Sequence, residues 1–121
     1  MNLEDRFNKL ADEWEAYCSQ SFIQVSCDPT IRRKCRQYEE IVALGLQALP
    51  LITKRYAKKN TEVGPAWISA VREIVINSGG DFKIPLELIG NIDGMKQYTT
   101  SWLEKNIQYY KDKASTQIPV H

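Results

Sequence analysis

Two residues five positions apart, Gly45 and Pro50, constrain this chain more than any others. They interrupt the run YEEIVALGLQALPLI, residues 38–52, which is otherwise rich in helix-forming and apolar side chains. Glycine ends a helix cheaply because it enters the left-handed backbone region without a Cβ penalty. Proline fits only the first turn of a helix, since it has no N–H to donate and its ring strikes an earlier carbonyl. The pair therefore predicts a stop and a restart. One helix, starting near Pro29–Arg32, ends around Leu44 with Gly45 as its left-handed terminus. A second begins around Gln47–Leu49 and carries Leu49, Ile52 and Tyr56 inward. Joined by a few residues, the two form an αα-hairpin.

The rest of the chain reads in the same way. Leu3, Phe7, Leu10, Ala11, Trp14, Tyr17 and Cys18 recur at helical spacing, with charges opposite and Asn2 placed to cap the start. Trp67, Ile68, Val71, Ile74 and Val75 form another stripe after Pro65, and SGGD, residues 78–81, stops it. Asp93 opens a last helix through Met95, Tyr98, Trp102, Asn106 and Tyr109, with Leu103 and Tyr110 beside that face. SQSFIQVSCDPT, residues 19–30, predicts an extended connector with a turn or helix-start signal at Asp28-Pro29. Residues 79–92, including IPLELIGNIDG, fit either a short turn opened by Pro85 or an irregular apolar loop. No pair of alternating strands is present. The expectation is an all-α, compact single-domain bundle of five to six helices over residues 1–113, with a flexible tail at 114–121.

The hairpin resembles a HEAT-type repeat unit over residues 36–77. The matching residues are Leu44, Gly45, Ala48, Leu49, Pro50 and Ile52. The wider order, with Trp67 and Ala70, then Gly90 and Asn91, then Trp102 and Leu103, is similar to a group of small helical bacterial proteins of unknown activity. That resemblance implies a bacterial or phage origin and carries over no catalytic residue.

The chemistry-bearing residues are sparse. The sole histidine is His121, and the cysteines, Cys18, Cys27 and Cys35, lie eight or nine positions apart. That set lacks the clustered ligands of a zinc site and the base that a serine or cysteine nucleophile requires. Two or three of the cysteines read as small buried residues in a reduced, cytoplasmic protein. No run is long and apolar enough to span a bilayer, and the acidic start does not read as a signal peptide. We therefore expect no cofactor, no metal and no enzymatic activity.

Charge is the informative property. The net charge is +1, yet residues 1–20 hold five acidic groups against two basic, and residues 32–59 hold eight basic against two acidic. Those eight are Arg32, Arg33, Lys34, Arg36, Lys54, Arg55, Lys58 and Lys59. An antiparallel hairpin brings the start of its first helix beside the end of its second, which predicts one patch of up to eight cations. The acidic first helix could attract that patch, or the patch could face an acidic partner. The expected function is a protein-interaction module that modulates or inhibits its partner, in the manner of an antitoxin, immunity protein or anti-defence inhibitor. Nucleic-acid binding by the same patch is the alternative.

Overall fold

The computed structural model describes residues 2–28, 30–57 and 63–117, with the backbone alone at Lys111 and residues 113–117. Six α-helices appear among them: α1 (Leu3–Cys18), α2 (Ser21–Gln24), α3 (Arg36–Ala43), α4 (Leu49–Ala57), α5 (Ala66–Asn77) and α6 (Ile92–Gln117). Three 3-10 turns join them, at Ile31–Arg33, Gly45–Ala48 and Leu86–Leu88. No strand occurs among the described residues. None of their helices is long and apolar enough to cross a membrane.

α1 follows its sequence pattern. The Asn2 side chain accepts from the Asp5 N–H at 2.8 Å, satisfying one of the donors that a helix start leaves open. Phe7, Leu10, Ala11, Trp14 and Cys18 are buried. Trp14 and Trp67 pack edge to face at 4.8 Å, and Tyr38 and Phe7 close on them from α3 and α1. A second aromatic group sets Phe82 against Trp102, with Tyr98 and Tyr110 beside them.

The break at Gly45–Pro50 forms where it was predicted. Gly45 has φ +75°, and Pro50 lies in the first turn of α4. The connection, however, is itself part of the core. Gly45–Ala48 winds one 3-10 turn whose Leu46 and Ala48 are buried. At about 2.0 Å rise per residue, this turn spaces the helices further apart than a tight loop does. As a result α3 packs on α1 and α5, while α4 packs on α6 and α5, and the two are not closely packed on each other. A Cβ at Gly45 would meet nothing within 4 Å, so substitution there costs conformation and not space. Gly45→Ala is expected to lower stability by about 1 kcal/mol, and Gly45→Asn by less, in urea unfolding.

Other expectations need correcting. The first hairpin helix does not run unbroken from Pro29–Arg32. Lys34 (φ −91°, ψ 57°) and Cys35 (φ −151°, ψ 159°) leave helical geometry between the Ile31–Arg33 turn and α3. Residues 21–24 form the one-turn helix α2, not an extended connector, with Ile23 buried and Phe22 and Val25 exposed. Asn91, not Asp93, caps α6, accepting from the Gly94 N–H at 2.9 Å. The α6 backbone continues past Lys113 to Gln117, as helix propagation allows once a nucleus exists. Pro85 opens the Leu86–Leu88 turn. Residues 78–81 end α5 as expected. The Gly79 and Gly80 N–H groups return to the carbonyls of Ile76 and Val75, a Schellman closure that leaves neither donor for an anion.

Candidate partner-binding groove

α1 lies between two of the eight cations predicted to share one surface, Arg36 and Arg55. Arg36 pairs with Glu40 at 2.6 Å and Glu13 at 3.6 Å. Arg55 pairs with Asp12, and with Glu15 at 3.0 Å. At about 100° per residue, Glu13 lies on one flank of the buried α1 stripe, and Asp12 and Glu15 lie on the other. α1 thus separates the two arginines and neutralises both. Lys34 is held by Asp28 at 2.8 Å. Lys54 is exposed. Lys58 and Lys59 lie outside the described residues. The attraction between an acidic first helix and a basic middle therefore uses three of the predicted cations internally, if Asp28 is counted with the acidic side.

Arg32 and Arg33 are different. Their 3-10 turn is fastened to α1 through backbone carbonyls. The Trp14 indole N–H donates to the Arg32 carbonyl at 2.7 Å. The Tyr17 hydroxyl lies 3.0 Å from the Ile31 carbonyl and 3.2 Å from that of Lys34. Both arginine side chains are left to face α5.

There they line a groove. Helical spacing puts Trp67, Ala70, Val71, Ile74 and Val75 on the buried side of α5. Pro65, Ser69, Arg72 and Ile76 fall on the opposite side and form the floor. Arg32 and Arg33 stand over one edge with Ser69, Arg72 and Glu73. The other edge is apolar: Ile68, Ile84, Leu86, Ile89 and Met95 enclose a recess of about 310 Å³, with Lys83 at its rim. Ser69 borders every part of this surface, which makes it continuous. Leu86 is 82% exposed and Ile89 62%. The residues lining the groove include four cations (Arg32, Arg33, Arg72 and Lys83) against one carboxylate, Glu73. None of the four has a carboxylate at ion-pair distance among the described residues.

Glu73 is engaged elsewhere, accepting a hydrogen bond from the buried Tyr38 hydroxyl. Burial pushes the Tyr38 phenol well above its ordinary range, the Glu73 carboxylate adds to the rise, and Arg33 opposes it. This phenol is a donor that ties α3 to α5. Burial likewise pushes Tyr56 from 10.0 up to about 12. A raised phenol pKa favours the folded state below the unfolded value and loses that contribution as pH rises through the folded one. Stability is therefore expected to hold to about pH 10 and fall between about pH 10 and 12, checked by urea midpoints across that range. The Tyr56 hydroxyl is buried without a hydrogen-bond partner among the described residues. Tyr56→Phe should leave neutral-pH stability unchanged or raise it by about 1 kcal/mol, and should flatten the alkaline loss.

Arg72 and Lys83 were missed in the sequence because both lie outside the basic run. The available signal was the outward position of Arg72 on the α5 stripe and the lack of polar alternation in IPLELIGNI. Among the cysteines, Cys18 is buried, Cys35 partly buried and Cys27 exposed. Burial pushes the Cys35 thiol up, against any activation by its basic neighbours. Among the described residues no group of three histidine, cysteine or acidic side chains is placed to hold a metal. No protein-family model matches the chain, and no curated protein and no solved structure matches it either.

Proposed function

We propose that this protein is a non-enzymatic interaction module that binds an acidic surface of a partner protein through the α5 groove and so modulates the partner. One observation carries the reading. Arg32, Arg33 and Arg72 converge on one face without the carboxylates that neutralise Arg36 and Arg55. Cations without an ion-pair partner among the described residues, beside an exposed apolar edge, suit electrostatic steering followed by apolar contact. Nucleic acid is the less favoured partner. Among the described residues that line it, the groove has no exposed aromatic on which a base could stack, since Phe82 is buried.

The test is cross-linking capture from cells expressing the chain, comparing it with the double reversal Arg33→Glu/Arg72→Glu. The expected result is a protein retained by the parent chain and largely lost from the variant. Equal retention by both chains would sink the proposal. So would a low-salt mobility shift with oligonucleotides that the reversal abolishes, in the absence of any specific protein.

A further inference from the structure

The groove has a cross-section as well as a charge, and the cross-section defines a ligand shape. Its floor follows the outer side of α5 from Pro65 to Ile76, about 16 Å at 1.5 Å per residue. The two edges lie side by side along this floor, not end to end. Glu73, on one flank of α5, faces Tyr38 of α3 and the arginine turn. Ile68, on the other flank, faces Ile84, Leu86, Ile89 and Met95. A ligand lying along α5 therefore meets Arg32 and Arg33 on one side and the apolar carbons around Ile68 on the other, with Arg72 shared between them.

Resting on the protein-binding reading above, we infer that the occupant is an amphipathic acidic helix of a partner protein. Its apolar stripe at i, i+3/i+4, i+7 would lie against the Ile84–Ile89 edge, and Asp or Glu residues on the adjoining stripe would face Arg32, Arg33 and Arg72. A helix presents two such stripes about 100° apart, as the two edges require, whereas an extended strand alternates sides every residue. Neither α1 nor the exposed Phe22 and Val25 of a second copy meets the requirement. The acidic helix α1 has its apolar stripe buried in its own core. The exposed pair Phe22 and Val25 has only Asp28 nearby in sequence, and Lys34 already holds that carboxylate.

The experiment pans a phage-displayed library of helical peptides on the full chain and measures the recovered peptides by fluorescence anisotropy. Two surface variants serve as probes, Arg33→Glu/Arg72→Glu and Leu86→Asp/Ile89→Asp, with circular dichroism confirming that both fold. The expected peptides carry an apolar stripe beside an acidic one and bind each variant at least about tenfold more weakly. Added salt should weaken binding to the parent chain and have much less effect on the arginine reversal. Exchanging the peptide's acidic residues for lysine should restore binding to the arginine reversal. Failure to recover any peptide sensitive to both variants overturns the inference, as does recovery of binders without acidic residues. Groove-dependent binding of phosphatidylserine vesicles or of the chain to itself, with no such peptide, overturns it too. A captured protein that depends on Arg33 and Arg72 but not on Leu86 and Ile89 would keep the protein-binding reading and remove the helix.

Discussion

Trp14→Ala is expected to lower unfolding stability by about 4 kcal/mol, the largest effect of any single substitution considered for this chain. The ring is fully buried, packs edge to face on Trp67 and tilts against Tyr38. Its removal leaves a cavity where α1, α3 and α5 meet, and the surrounding rings cannot close that space without leaving their own contacts. For a domain of this size the melting temperature should fall by roughly 10–20 °C. Trp14→Phe separates packing from hydrogen bonding. It keeps much of the apolar volume and loses the N–H that meets the Arg32 carbonyl, so the cost should be about 1–2 kcal/mol. If alanine and phenylalanine cost the same in urea unfolding, the packing account is wrong.

The second large effect belongs to Arg55. Its side chain is 13% exposed and meets both Asp12 and Glu15. Burial alone disfavours the cation, and the two carboxylates more than offset it. Arg55→Ala would remove the cation, leave two neighbouring carboxylates to repel each other, and expose the surface that the aliphatic stem covers. A loss of about 2 kcal/mol is expected. Arg55→Met should recover part of it by restoring the stem. Arg36 offers the contrast. It also touches two carboxylates, but its side chain is 64% exposed, so Arg36→Ala should cost less than about 1 kcal/mol and lose even that in high salt. Chemical denaturation of the three variants at low and high salt checks the ordering, and a larger loss at Arg36 than at Arg55 would contradict it.

These two residues also show what could be read in the sequence. Trp14 was assignable to the core because periodicity along one helix is local information, and α1 keeps that period from Phe7 to Cys18. Gly45 and Pro50 were readable for the same reason, since each acts on its own turn. The path of the chain between them was not. Leu46 and Ala48 sit in a connection that looks like linker until α5 and α6 are seen against it. The basic run was visible, but its fate depended on which carboxylates the fold delivers. Asp12 and Glu15 are forty or more positions from Arg55, and no local pattern links them. The groove was legible only in part. Arg32 and Arg33 were among the expected contacts. Arg72 and Lys83 join them only through the packing of α3 on α5 and the path of residues 82–89.

The fastening of the Ile31–Arg33 turn has a consequence for how such a surface could change over generations. Trp14 and Tyr17 grip carbonyl oxygens, which every amino acid supplies, and leave the side chains at positions 32 and 33 out of the bargain. Mutation can therefore alter what those two positions display while the loop keeps its shape. A scaffold held in this way can follow a changing counterpart by swapping exposed side chains, without having to refold its core each time.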